Sequence, residues 1–221
     1  MRIFSLIIFA LLLFNQVYAQ NKPFRGMLEY KITIRDTNMR NMIPESRMFL
    51  YTNDTISRME NFSSSLGKQV IIRHMELNKS YMLIETVKGK FAIKSDLNKS
   101  DTTQTVSKYE FKKKCFKRKV LGKKAKRVLV SHPEFNEPIE FLYLKEHSNK
   151  YLNNFKAIPR LLVKYSVVTP DGVLDYELIH YSEYTPDRDL FGLPDDYQRV
   201  TFDEFVDIMT GLKEIEAPEE D

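Results

Sequence analysis

Apolar and polar side chains alternate along most of this chain, with the period of two that is typical of β-strands. In the segment 24–36, polar and charged residues occupy one face, and the other face carries Leu28, Tyr30, Ile32 and Ile34. Similar segments follow at short intervals as far as about residue 96 and again from about residue 109. The pattern predicts a mainly β protein, with about ten antiparallel strands in one large sheet that curves.

Two stretches depart from the strand pattern. Residues 96–107 form a polar loop without apolar alternation, which divides the domain into two halves. Near residues 202–210, apolar residues recur at a spacing of three or four, and Thr201 and Glu204 match a capping box. These positions predict little helix apart from one short C-terminal helix.

The first residues predict export. A single basic residue precedes an apolar run at residues 3–14, which is too short to span a bilayer. Small residues, Val17 and Ala19, stand at the −3 and −1 positions of a cleavage site before Gln20. We therefore expect a signal peptide over residues 1–19 and an exported protein that is periplasmic, associated with the outer membrane, or secreted.

The remaining chain predicts one domain and one appendage. Residues 20–212 contain all the strand patterns and the helix, so we expect a single β-rich domain there. Residues 213–221 form an acidic tail. No further stretch is long and apolar enough to cross a membrane. The sequence does not indicate an oligomeric state.

Charge is distributed unevenly along the chain. The formal net charge is +4, yet residues 108–128 carry eleven Lys or Arg and one Glu, so the rest of the chain is acidic. On an alternating hairpin, Lys112, Lys114 and Arg118 point away from the apolar side. We interpret this basic stripe as a solvated face, with contact to an anionic partner as the alternative. Export argues against nucleic acid as that partner.

Catalytic and metal-site patterns are absent from the sequence. The one cysteine, Cys115, shares a strand face with Phe111, which predicts a buried thiol. His74 and His180 have nearby carboxylates but lack zinc-site spacing. We expect no enzyme activity, no metal and no cofactor, although a hydrolase with a polar pocket around His180 or His74 stays as a remote alternative.

Four short motifs in the second half resemble those of a known family. They are residues 120–127, 141–146, 157–163 and 191–197. In this order they resemble the GLPGLI family and its neighbours, which are exported Bacteroidota proteins of unknown function. The resemblance implies a β-rich half-barrel similar to that of periplasmic lipoprotein carriers (LolA-like), and it implies no reaction.

Together these features predict a non-catalytic envelope protein that binds a hydrophobic or amphipathic ligand, such as a lipid or lipoprotein, on its curved sheet. The predicted ligand-binding residues are Leu28, Tyr30, Ile32, Leu83 and Phe141, and the residues predicted to meet headgroups at the rim are Lys112, Lys114 and Arg118. The alternative is an envelope interaction or assembly subunit. In that case the protein's own side chains fill the sheet, and the basic stripe docks another protein.

Overall fold

The computed structural model describes residues 23–36, 45–63, 67–96, 108–152, 155, 157–170 and 172–212; of residues 62, 63, 67 and 113–116 it describes the backbone alone. The predicted signal peptide, the acidic tail and residues 97–107 of the predicted loop lie outside the described residues.

Twelve strands account for most of the described chain. The first half contains β1 (Gly26–Ile34), β2 (Ser46–Thr52), β3 (Ile56–Ser63), β4 (Gly67–His74), β5 (Lys79–Thr86) and β6 (Gly89–Asp96). The second half contains β7 (Glu110–Val120), β8 (Lys123–Ser131), β9 (Ile139–Ser148), β10 (Arg160–Thr169), β11 (Gly172–Glu183) and β12 (Gln198–Thr201), followed by helix α1 (Phe202–Thr210).

All twelve strands belong to one sheet, in the order β12-β6-β5-β4-β3-β2-β1-β11-β10-β9-β8-β7. Each half is therefore a meander of antiparallel neighbours, and the halves join where β1 pairs with β11. Strand β12 returns to the far edge and pairs in parallel with β6. The predicted class, mainly β with one large antiparallel sheet, is confirmed.

Contacts across the sheet show that it curls. Strands β4 and β9 are six positions apart, which would separate them by about 29 Å in a flat sheet. Yet Arg73 in β4 donates from Nη1 to the carbonyl oxygen of Leu152, 2.8 Å away and only four residues after β9 ends. Four extended residues span at most about 14 Å, so one arginine side chain cannot close the remaining gap unless the sheet is curved.

One cover on the concave face follows β9. We call residues 149–158, of which 149–152, 155, 157 and 158 are described, the cover segment; it begins with a 3₁₀ turn at Asn149–Tyr151. Its buried apolar residues join the largest core cluster, together with residues of β1, β2, β8, β9, β10 and β11. Phe155, for example, packs edge-to-face on Phe141 with ring centroids 5.4 Å apart. The cover segment thus fills the concave face over the central and second-half strands.

Helix α1 forms the second cover, over β6 and β12. It begins with the predicted capping box, in which Thr201 accepts from the backbone of Glu204 and Glu204 accepts from the backbone of Thr201, and it ends at Gly211. Ile208 is buried in a cluster with residues of β6 and β12, and Phe205 packs edge-to-face on Phe91 at 5.4 Å. The predicted helix near residues 202–210 is confirmed.

The convex face of the first half is also covered. Val70, Ile72, Leu83 and Ala92 form a separate buried cluster, against which Leu193 and Tyr197 pack. The register from β1 to β5 places Leu83 opposite Val70 and on the side of Glu29, away from Leu28. The prediction that Leu83 lies on the concave face is therefore wrong, because both faces of this strand are apolar and both are covered.

Candidate functional site

Four of the predicted ligand-binding residues lie beneath the cover segment or within the core beside it. Leu28, Tyr30 and Phe141 are 0% exposed and Ile32 is 4% exposed. The hydroxyl of Tyr30 is itself satisfied, since it donates to the carbonyl oxygen of Leu162 at 2.7 Å. In this conformation these side chains form the core, and a ligand could reach them only after the cover segment moved.

The concave surface between the two covers lies over β3, β4 and β5. There the strand register aligns Met59, Ile71 and Met82 as one apolar row, between buried Leu50 in β2 and buried Ile93 in β6. Met59 and Ile71 are half-buried, and Met82 is 37% exposed. Met59 packs partly against the largest core cluster. Apolar side chains on a core face normally lose more surface than Ile71 and Met82 do, so the row marks a stretch of the face that the cover segment and α1 cover incompletely.

A polar row runs beside the apolar one. Each of its members lies two residues from the apolar residue of the same strand and points to the same face. The register aligns Ser57 in β3 with Arg73 in β4 and Ser80 in β5. Ser57 is 1% exposed and Ser80 is 5% exposed. The two rows are separated by about 7 Å along the strands. We call the six residues of these rows the central surface: an apolar row flanked by hydroxyls and one guanidinium.

Arg73 is held from one side only. Its Nη1 donates to the carbonyl oxygens of Leu152 at 2.8 Å and of Tyr151 at 3.5 Å. Its Nε is buried and has no hydrogen-bond partner among the described residues, and none of their carboxylates forms an ion pair with the guanidinium. Burial lowers the pKa of the guanidinium, which still remains charged at neutral pH.

A hydrogen-bond network attaches the cover segment to the turn between β2 and β3. The hydroxyl of Tyr151 donates to the carboxylate of Asp54 and accepts from the backbone N–H of Phe24 at 2.9 Å. Lys150 Nζ lies 2.7 Å from the same carboxylate. Burial by itself raises the pKa of Asp54, but the hydrogen bonds from Lys150 and Tyr151 outweigh burial, so the pKa lies below its usual value.

A basic groove lies near the β7–β8 turn, at the other end of the sheet. It has a volume of about 550 Å³ and is lined by Lys117, Lys123, Lys124, Ala125, Lys126, Lys145 and Glu146. Lys123 is engaged by Glu146 at 3.8 Å and Glu183 at 3.5 Å, and it lies over the ring of Tyr181. The other four lysines form no ion pair with the described residues, so the groove favours an anion.

Of the residues predicted to contact an anionic partner, Lys112 and Arg118 do not line this groove. Lys112 is exposed, and Arg118 is held by Glu140, with Nε 3.3 Å from its carboxylate. The side chain of Lys114 lies outside the described residues. The register of β7 on β8 shifts between Lys114 and Lys117, and this bulge places Lys117 opposite Lys126. A register shift cannot be located from alternation, which explains why Lys117 was not singled out from the sequence. The other groove lysines come together through the pairing of β8 with β9, which the sequence does not specify.

The histidines give the hydrolase hypothesis no support. His180 is exposed, and His74 packs edge-to-face on Tyr81 with centroids 6.2 Å apart. Burial, then the positive charge of Lys79, lowers the pKa of His74. Across the described part of the chain, no three His, Cys, Asp or Glu residues come together as a metal site.

No helix within the described ranges has the length and hydropathy needed to cross a bilayer.

No protein-family model matches the chain, and no curated protein matches its sequence. The resemblance to the GLPGLI family therefore stays a prediction.

Several solved structures are similar to this one at low identity. PNGF-II aligns with a TM-score of 0.49 and 14% identity over 83% of this chain, which spans only 32% of that protein. An uncharacterized conserved protein from Thermus thermophilus aligns with a TM-score of 0.47 and 13% identity, covering 80% of this chain and 90% of that one. MucB, in complex with MucA(peri), aligns with a TM-score of 0.43 and 12% identity, covering 85% and 61%. With every TM-score below 0.5, these likenesses assign neither a family nor an activity.

Proposed function

We propose that this chain is an exported, non-catalytic binding protein of the cell envelope, and that its central surface takes an amphipathic ligand such as a lipid or an acylated protein. One observation carries the proposal: Met59, Ile71 and Met82 remain accessible on the core face of the sheet, between two covers. A partly exposed apolar row with polar groups beside it has the composition of a small-molecule binding site.

The proposed site differs from the one predicted from the alternation. Leu28, Tyr30, Ile32 and Phe141 would contact a ligand only if the cover segment lifted from the sheet. Leu83 would contact a ligand on the convex face, where Leu193 and Tyr197 now cover it. The central surface needs no such movement, and we therefore place the ligand there.

A fluorescence titration tests the proposal. Purified protein lacking the predicted signal peptide should take up a dansyl-labelled undecanoic acid saturably. Met82→Gln should weaken binding about tenfold, because an amide placed against an alkyl chain costs free energy on the order of 1–2 kcal/mol. Leu77→Gln is the matched control, since Leu77 is 62% exposed in the turn between β4 and β5; its affinity should equal that of the wild type. Absence of uptake, or equal weakening by both variants, would refute the proposal.

The basic groove favours a second function, the docking of an acidic segment of another envelope protein. Four lysines without ion-pair partners among the described residues surround a volume that accommodates several side chains. This proposal revises the predicted assembly subunit, because the groove is lined by Lys117, Lys124, Lys126 and Lys145, and Lys112 and Arg118 do not line it.

A further inference from the structure

The guanidinium of Arg73 is the charged group on the central surface, and its two edges differ. The Nη1 donor is used by carbonyl oxygens of the cover segment. The opposite edge, formed by Nε and Nη2, has no acceptor among the described residues, and Nε is buried. This is the edge through which a guanidinium can bind a carboxylate or phosphate with two parallel hydrogen bonds.

The electrostatics of this position call for an anion. A buried charge without an opposite charge is destabilising, and an unsatisfied buried donor adds to that cost. Carbonyl oxygens supply hydrogen bonds to Arg73 but no negative charge. An anion at the free edge would satisfy both the donor and the charge.

The neighbours of Arg73 suit the same occupant. Ser57 and Ser80 lie directly opposite Arg73 on the two adjacent strands, and each hydroxyl can donate a hydrogen bond to an anionic oxygen. The apolar row begins about 7 Å away along the strands, a distance that a few methylene groups span. Head-group and chain-binding functions are therefore adjacent on one surface.

We propose that Arg73 is the head-group site of the central surface and selects long-chain anions, carboxylate or phosphate, whose alkyl chain lies along Met59, Ile71 and Met82. This inference rests on the proposed function and adds to it the charge of the ligand. It predicts that the protein distinguishes ligands of equal chain length by their head groups.

Calorimetric titration with four probes separates head from chain. Dodecanoate and dodecyl phosphate should bind at least tenfold more tightly than dodecanol, which corresponds to about 1.4 kcal/mol. Acetate should bind far more weakly than dodecanoate. If acetate matched dodecanoate, the site would be a simple anion site without a chain, and the inference would be wrong.

Variants then assign the selectivity to Arg73. Arg73→Met should weaken dodecanoate binding at least tenfold and leave dodecanol binding unchanged. Arg73→Lys should lose part of the preference for dodecanoate over dodecanol, because lysine keeps the positive charge but cannot donate the two parallel hydrogen bonds of a guanidinium. Arg199→Met is the matched control, since Arg199 is exposed on the edge strand β12. Circular dichroism should show the same strand content in all variants.

The outcomes keep the two proposals distinct. If the wild type binds neither dodecanoate nor dodecanol, the proposed function fails and this inference fails with it. If the wild type binds both but Arg73→Met leaves the preference intact, the inference alone is overturned. Should Arg73→Met not fold, isotope-labelled arginine in the wild type gives the answer: one Nε–H resonance should shift with dodecanoate and not with dodecanol, and an unshifted spectrum would contradict the inference.

Discussion

A single carboxylate, that of Asp54, ties the cover segment to the sheet. It accepts from the hydroxyl of Tyr151, pairs with Lys150, and lies in the turn between β2 and β3. Because hydrogen bonds lower the pKa of Asp54 in the folded state, the folded state binds fewer protons there than the unfolded state. The stabilisation is therefore complete above the unfolded pKa of about 4 and disappears as the pH falls through the folded pKa.

Asp54→Asn should accordingly destabilise the protein in a pH-dependent way. We expect the free energy of unfolding to fall by about 1 kcal/mol near pH 7, and the difference from the wild type to be smaller near pH 3, because the stabilisation from the charged carboxylate declines once the pH is below the unfolded pKa of about 4. Urea unfolding followed by circular dichroism measures both values. The control is Asp195→Asn at an exposed turn position, which should leave the free energy of unfolding unchanged at both pH values. An equal loss at both pH values would show that the charge of Asp54 contributes nothing.

At the scale of the element, strand positions were predictable and strand faces were only partly so. Alternation predicted about ten strands and the structure has twelve. Strand β12 has four residues, of which only Val200 is buried, and so lacks a pattern. In β4, Ile71 and Ile72 point to opposite faces and both faces are covered or half-covered. Alternation states which residues share a face, but not which face meets which neighbour, and for this reason Leu83 was misplaced and Arg73 was not recognised.

The cover segment was missed for a different reason. Its apolar residues Tyr151, Leu152, Phe155 and Ile158 recur at spacings of three and four over only eight residues, yet the helical turn described there is the short 3₁₀ turn at Asn149–Tyr151. Contacts distant in sequence hold the segment instead, such as that between Tyr151 and Asp54. A cluster of apolar residues between two strands was the available signal. It indicates burial but not the surface that is covered.

The β7–β8 hairpin carries its own prediction. Replacing Lys124 and Lys126 together by Glu should weaken the binding of a polyglutamate peptide at least about tenfold at low salt, since two attractive charges become repulsive. The matched control is Lys79→Glu with Lys94→Glu, two exposed lysines outside the groove. Fluorescence anisotropy of the labelled peptide measures both. Equal weakening by the two double variants would show that the peptide responds to the net charge of the protein and does not bind in the groove.

Across the whole molecule, the curled sheet places two covers on one concave face and leaves the apolar row between them partly exposed. The sequence predicted the large sheet and the terminal helix, because both depend on local periods. Whether the concave face is open or filled depends on how far the sheet curls and on which strands the cover segment packs against. The structure shows both conditions: the face is filled over β1, β9 and β10, and it is partly exposed along Met59, Ile71 and Met82.

The position of the ligand is the central claim, and photocrosslinking tests it most directly. A dodecanoate analogue with a terminal diazirine would be bound, irradiated and mapped by peptide mass spectrometry. The account predicts labels on β3, β4 and β5, at or beside Met59, Ile71 and Met82, that unlabelled dodecanoate removes. Competable labels at exposed apolar residues elsewhere, such as Val87 or Phe202, or in the strands beneath the cover segment, would contradict it.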